Sequence, residues 1–245
     1  MEKFRTFDLG MLTANGFPVP AGNLVGEAPH LELVDPIPNQ KQAVVQWVLV
    51  GQRLFAAGPL GRVTWRALEC SGLDTKEGHK VFVEGMEFIL RLPKIGADRE
   101  IPWLPWLNGC WALGRDVTFG EDSFFIHGRI IRSEEENTLM FEKAGYEERN
   151  LSRRLQLTPV LEPVMPLLES LEGLYVGLLT PGGSAKAVLC EVTSYDLVCD
   201  NYSGPLDPIW GRSARGKTYI RRDVVLNAGA FGMERLGVFD NSCWL

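Results

Sequence analysis

The chain has only three histidines, His30, His79 and His127, and none falls in an HxH, HExxH or Cys/His spacing. The sequence therefore carries no ready-made metal motif. Its five cysteines, Cys70, Cys110, Cys190, Cys199 and Cys243, are odd in number, widely spaced and without a CxxC pair. That pattern excludes a disulfide framework or a zinc ribbon, and reduced, mostly buried thiols are expected. Cations are in deficit, 25 Lys and Arg against 31 Asp and Glu for a net charge of −6. A general nucleic-acid coat needs the opposite balance. No run of about 18 apolar residues is present to span a bilayer, and the opening "MEKFRTFDLGMLTANG" has no apolar core of a signal peptide. A GxSxG nucleophile elbow is also missing. The glycine turn "TPGGSAK" lacks the spacing of a phosphate loop and runs into a strand-like segment instead of a helix.

What is present is the composition of a globular protein, 45% hydrophobic and 23% charged. Its 245 residues, with 26 Gly and 15 Pro, suit one large domain or two ordinary ones rich in turns. Residues 1–40 are punctuated by Gly and Pro and read as an extended arm or loop with short strands. "AVVQWVLV" is β-prone, and Gly51 turns it into a second strand at Arg53–Ala57. "VTWRALECSGL" reads as a short helix, with Thr64 as its N-cap and Gly72 as its stop. "HKVFVEGMEFILRL" is a hairpin: Val81 and Val83 alternate, Glu84-Gly85 turns, and Phe88, Leu90 and Leu92 alternate back. The cluster "IPWLPWLNGCW" follows, with Trp106 and Trp111 expected in the core and Trp103 exposed. "FFIHGRIIR" reads as a strand, the acidic stretch "SEEENTLMFEKAGYEER" as helical, and "LQLTPVLEP" as one closing strand.

Pro159, Pro163 and Pro166 mark a linker. Beyond it, "LLESLEG" is a short amphipathic helix or turn. "LYVGLLTPGGSAKAVLCEVTSYDLVCDN" gives a strand, a Pro181-Gly182-Gly183 turn, a strand, a Ser194-Tyr195-Asp196 bend and another strand. "KTYIRRDVVLNAG" adds two more. Five short strands in about 60 residues point to a small barrel.

The run from Thr64, Trp65 and Leu68 through Gly78, Val81, Val83, Gly85, Arg91 and Leu92 forms a pattern with Trp103, Trp106, Trp111 and Pro159, Val160, Leu161, Glu162. It resembles a group of proteins from gut Firmicutes and their phages. That group is similar to the formylglycine-generating-enzyme-like branch of the C-type-lectin fold, which includes the variable receptor proteins of diversity-generating retroelements. The resemblance covers residues 1–163. The reactive cysteines of the formylglycine enzymes have no counterpart here, so it implies a binder and not an oxidase. The second unit resembles an Sm-like or SH3-like barrel.

The expectation is thus an α+β chain: a C-type-lectin-like domain at 1–163, an Sm- or SH3-like barrel at 167–232 and a tail at 233–245. The resemblance places a ligand-binding face before the closing strand, with Trp103, Phe119, Asp122, Phe124, His127, Arg132, Glu134, Asn137 and Tyr146 as candidates. Aromatics with adaptable polar neighbours suit a protein or glycan ligand. Arg212, Arg215, Lys217, Arg221 and Arg222 form a second candidate set, for a partner or a phosphate; a charged edge strand explains them equally. The acidic residues Asp116, Glu121, Asp122 and Glu134–Glu136 lack the spacing of a calcium loop. No metal or cofactor is expected, and nucleic acid and membrane are not expected partners. The reading is a non-catalytic binding module, cytoplasmic or virion-associated, with a homo-oligomer through the barrel as its candidate assembly. An enzyme of the formylglycine-generating branch and an RNA-binding Sm-like protein are the alternatives.

Overall fold

The computed structural model describes residues 6–20, 30–58, 60–73, 77–95, 112–116, 125–132, 137–143 and 155–232. Strands β1 (Thr6–Ala14), β2 (Phe17–Pro18), β3 (Leu31–Val34), β4 (Val44–Val50), β5 (Arg53–Ala56) and β6 (Gly61–Val63) come first. Helix α1 (Trp65–Cys70) precedes β7 (His79–Val83), β8 (Met86–Arg91) and β9 (Lys94–Ile95). Next are β10 (Ala112–Asp116), β11 (Phe125–Arg132), β12 (Asn137–Lys143), β13 (Leu155–Leu157) and β14 (Val160–Pro163). The last six are β15 (Tyr175–Thr180), β16 (Gly183–Val192), β17 (Asp196–Ser203), β18 (Gly211–Ala214), β19 (Lys217–Arg221) and β20 (Asn227–Ala230).

Strands make up 55% of this architecture and helices 9%, in mostly antiparallel sheets, so the expected α+β class is overturned in favour of a mostly β protein. The reason is local. Helix signals coincide once among the described residues, at α1. There Thr64 Oγ1 accepts from the Ala67 N–H at 3.3 Å, and Gly72 takes φ +67° just past the end. Ser71 ties that end into the sheet: its hydroxyl donates to the Ala67 carbonyl and accepts from the Leu31 N–H. No helix among the described residues is long and apolar enough to cross a membrane.

The first sheet runs β2-β1-β4-β5-β14-β8-β7, with β3 also paired to β1. The expected arm is in fact one of its inner strands: β1 pairs with β2, β3 and β4 and buries Leu9, Met11 and Leu12. Trp47 on β4 is fully buried and donates its indole N–H to the Leu9 carbonyl at 2.7 Å. The expected hairpin is present as β7 and β8, paired from His79↔Leu90 to Val83↔Met86. Glu84 and Gly85 both take positive φ, as a two-residue turn of this hand requires. The sheet curls so that β7 returns towards β3. The Glu84 N–H bonds the Asp35 carboxylate, and Gly10 leaves just enough room between Leu33 and Val83.

The second sheet runs β12-β11-β10-β13-β6, with β9 beside β10. Within the acidic stretch read as helical, Asn137–Lys143 form the strand β12, paired with β11 from Ile126↔Lys143 to Arg132↔Asn137; the rest of that stretch lies outside the described residues. The strand's alternating Thr138, Met140 and Glu142 are held by that neighbour, a tertiary choice that outweighs weak local preference. The expected single closing strand is two. Thr158 and Pro159 break it, sending β13 to β6 in this sheet and β14 to β5 and β8 in the first. Pro159 has no N–H to continue a ladder.

The third sheet is antiparallel and six-stranded, ordered β18-β19-β17-β16-β15-β20. The sequence order of its strands follows the expectation, with β18 added. Its two edges, β18 and β20, are not bonded to each other. Leu178, Leu189, Leu197, Cys199, Trp210 and Ile220 are buried in its own core, which the 3-10 turn Leu168–Leu171 helps to cover. The first and third sheets meet at the hairpin tip. A Cβ on Gly177 would stand 1.9 Å from the Glu84 carbonyl oxygen, and one on Gly229 2.0 Å from that of Gly85. Buried Asn227 donates its side-chain amide to the Glu87 carbonyl at 2.6 Å, and Leu179 and Leu226 pack into the first sheet's core.

Candidate functional site: a groove at one end of the C-terminal sheet

The turn from β16 into β17 is fixed by one hydroxyl. Thr193 Oγ1 accepts from the N–H groups of Tyr195 and Asp196 at 3.2 and 2.8 Å and donates to the Asp196 carbonyl at 2.9 Å. Side-chain bonds of this kind are how Thr rigidifies a turn. The Tyr195 carbonyl then accepts from the Arg222 N–H at 2.8 Å, which fastens the turn to the end of β19. Tyr195 is thereby held with its ring outward, 82% exposed. Across from it the linker Met165-Pro166-Leu167-Leu168 approaches, and Leu167 is 70% exposed. Together with Ser194, Asp196, Arg212, Arg221, Arg222 and Asp223 these residues line an open groove of about 800 Å³.

Every arginine of the groove sits on a carboxylate of this chain. Arg212 Nη2 lies 2.8 Å from Asp196 Oδ2, and Arg222 Nη2 lies 2.8 Å from Glu169 Oε1. Arg221 forms a two-pronged bond to Asp223, its Nε at 3.0 Å from Oδ1 and its Nη2 on Oδ2. The charges support each other. Arg221 holds the Asp223 carboxyl below its ordinary range, and Asp223 raises Arg221 in turn. Glu169 is also lowered, by its own backbone N–H first and then by Arg222. The Arg212 guanidinium lies over the Tyr219 ring, 5.0 Å from its centroid, a favourable cation–π placement.

Of the five predicted basic residues, the structure gathers Arg212, Arg221 and Arg222 here. Arg215 forms the β18–β19 turn with Gly216, both at positive φ. Lys217 stands at the far end of β19, 3.2 Å from Asp200 Oδ2, which also accepts from the Cys190 thiol at 3.1 Å. Cys190 and Lys217 together lower the Asp200 carboxyl, and Asp200 raises Lys217. Of the five cysteines, Cys110 and Cys243 lie outside the described residues; Cys70 is exposed and Cys190 half-buried, while Cys199 is buried and its thiol is pushed up to about 12 by desolvation. Among the described residues no group of three or more His, Cys, Asp or Glu could hold a metal ion.

The predicted lectin-like face falls mostly outside the described residues: Trp103, Phe119, Asp122, Phe124, Glu134 and Tyr146 do, as does the whole tryptophan segment 101–111. His127 and Arg132 lie on β11 and Asn137 on β12. Arg132 and Asn137 are register partners at the end of that hairpin where the chain crosses from β11 to β12, whereas His127 is roughly 17 Å along the strand from Arg132 at ~3.4 Å per residue. Sequence reasoning missed Met165, Leu167, Tyr195, Glu169 and Asp223. A tyrosine at the tip of a Thr-Ser-Tyr-Asp turn was the available signal, since a bulky ring has no packing reason to occupy a bend.

No protein-family model matches the chain, and neither a curated protein nor a solved structure matches it.

Proposed function

We propose that the chain is a non-catalytic protein-binding module and that this groove is a docking surface. One observation carries the reading: the groove's cations are already matched by carboxylates, while Leu167 and Tyr195 face solvent unmatched. A phosphate or RNA site presents cations without internal counter-charges. A groove whose polar groups are satisfied and whose apolar groups are bare gains most from covering by apolar side chains. The rigid turn supports this, because the backbone that carries Tyr195 is fixed before binding and loses little conformational freedom on association.

Selection of a random displayed peptide library against the full chain tests this reading. The expected result is enriched peptides whose binding protects the amides of 194–196 and 221–223 from hydrogen exchange and is lost in a Leu167→Asp, Tyr195→Ser double variant. Enrichment that is equal on that variant, or none at all, overturns it. Retention of a single-stranded RNA that falls steeply with salt and disappears on Arg221→Glu, Arg222→Glu would move the assignment to nucleic acid.

A further inference from the structure

At the end of β19 away from the groove, three strands of the third sheet bring together a thiol, a carboxylate and an amine. The pairing of β16 with β17 runs Leu189↔Cys199 and then Glu191↔Val198. Cys190 is thus the extra residue of a bulge, a device that re-aims a side chain. Its thiol donates to Asp200 Oδ2 at 3.1 Å. β17 and β19 pair as far as Cys199↔Thr218, and one residue further on Lys217 Nζ lies 3.2 Å from the same Asp200 oxygen. The carboxylate of the middle strand therefore gathers a sulfur from one neighbour and a nitrogen from the other.

None of the three is sealed in. Cys190 is half-buried, and the Lys217 and Asp200 side chains are 40% and 41% exposed, so a small reagent reaches them. The other thiol of this sheet is turned elsewhere: Cys199 is packed in the core. The Lys217 ammonium is raised by its hydrogen bonds, to Asp200 first and to Cys190 next, and Asp200 is lowered by Cys190 first and then Lys217. Stability alone does not explain the arrangement. A surface Lys–Asp pair contributes little, and a thiol is a weak donor that adds little to it.

We propose that Cys190 and Lys217 form a modification site: a hydroperoxide oxidises the thiol, and the neighbouring amine captures it as a covalent sulfur–nitrogen cross-link. In the first step the thiol passes its proton to Asp200 as sulfur attacks the peroxide. An S–O bond forms, the O–O bond breaks, and Lys217 gives a proton to the departing hydroxide. Sulfur is oxidised by two electrons and the peroxide is reduced, leaving a sulfenic acid, a neutral amine and protonated Asp200. In the second step the amine attacks sulfur. An S–N bond forms, the S–O bond breaks, and hydroxide leaves as water with the proton of Asp200, while the surplus amine proton goes to solvent. One peroxide is consumed and two waters form. The shared Asp200 oxygen keeps sulfur and nitrogen together, so capture is intramolecular and outpaces further oxidation. The product ties β16 to β19 over β17 and takes the Lys217 charge away from Asp200.

Treatment of the full chain with hydrogen peroxide, followed by thiol alkylation and peptide mass spectrometry, tests this. The expected product joins the peptide holding Cys190 to the one holding Lys217, with two hydrogens lost and no oxygen gained. Dithiothreitol should then return both residues unmodified. Lys217→Arg keeps a cation beside Asp200 and removes the primary amine. There the cross-link should vanish, and Cys190 should remain a sulfenic acid that dimedone labels. Asp200→Ala should lower the cross-link yield about tenfold, because the group that gathers the pair is gone. All three side chains reach solvent, so unchanged thermal unfolding of the variants is the control. The wild-type chain unfolded in urea gives the same comparison without a substitution, and its yield should fall as far.

Cys190 left as sulfenic, sulfinic or sulfonic acid in the treated wild-type chain overturns the proposal, as does a disulfide from Cys190 to another cysteine. A cross-link heavier by one oxygen is not an S–N bond and overturns it too. So does an equal yield in the urea-unfolded chain or in Asp200→Ala, since the fold would then play no part in bringing the pair together. Unreacted Cys190 in a chain whose exposed Cys70 is oxidised has the same consequence. None of these outcomes bears on the docking reading, because the groove takes its residues from the Arg221 end of β19 and Lys217 stands at the other.

Discussion

The first and third sheets differ in whether a cation is buried. The first buries one, besides surface pairs such as Lys80–Glu87 and His30–Glu32. Arg91 on β8 is 1% exposed, bonds the Glu162 carboxylate of β14 and donates to the Leu92 carbonyl at 2.9 Å. Arg53 of β5 reaches the same Glu162 oxygen at 3.4 Å, so one carboxylate links three adjacent strands. In the third sheet the ion pairs lie on the surface, and so do the large apolar side chains. Met165, Leu167, Leu174, Tyr175, Tyr195 and Ile209 are exposed there, against Phe17, Ile37 and Phe82 in the first region. A buried charge that must find its partner selects one strand register. Surface pairs specify little and cost little, which leaves a face free to be shaped by what it touches. On the docking reading proposed above, the first region holds the fold and the third meets a partner.

The comparison can be broken most severely at its buried charge. Glu162→Gln removes the charge of a carboxylate that bonds buried Arg91 and should destabilise the chain by about 3 kcal/mol, the usual result of removing one partner of a buried pair. Urea unfolding measures it, and a loss as small as that of a surface pair would mean water reaches Arg91. The joint between the two regions comes next. Gly177→Val collides with the Glu84 carbonyl and should cost about 2 kcal/mol by overpacking, with protease sensitivity rising in both sheets. If only the third sheet becomes sensitive, the hairpin tip is not what couples them.

The smallest effect sharpens the contrast through pH. His79 has a pKa lowered mainly by burial, whereas exposed His30 has one raised mainly by the Cys70 carbonyl, with Glu32 adding to it. A lowered folded pKa means the unfolded chain binds the proton more readily. The His79 contribution is therefore complete above its ordinary value near 6.5 and is lost as pH falls below it. His30 works in the other sense, complete below about 6.5 and lost as pH rises through its raised value. His79→Gln should flatten the fall in melting temperature between about pH 7 and pH 5. An unchanged slope would place the acid sensitivity in other groups.

Much of the strand order was legible because it is local. Val81, Val83, Phe88 and Leu90 alternate around Glu84-Gly85, and that information lies within a dozen residues of itself. Thr64 and Gly72 bracket α1 for the same reason. What was illegible was set across the chain. β1 is an inner strand because β3 and β4 flank it, and β12 is a strand because β11 lies beside it. The α+β expectation came from the resemblance to a C-type-lectin-like domain, together with helical readings of α1 and of the acidic stretch. The groove was illegible in the same way. Arg212, Arg221 and Arg222 stood out as a basic run, yet Asp196, Asp223 and Glu169, which change its meaning, lie on separate segments. The run suggested a partner or a phosphate, and the structure sets Arg212, Arg221 and Arg222 each beside a carboxylate of this chain.

Val160 and Arg91 are register partners on neighbouring strands of the first sheet. The chain leaves the first sheet after Arg91 and rejoins it at Val160, beside the strand it left. On the way back β13 pairs with β6, which precedes the departure. The two strands act as a clasp: they join residues that the sequence keeps far apart, so their ladder forms only at the entropic cost of closing the loop between them.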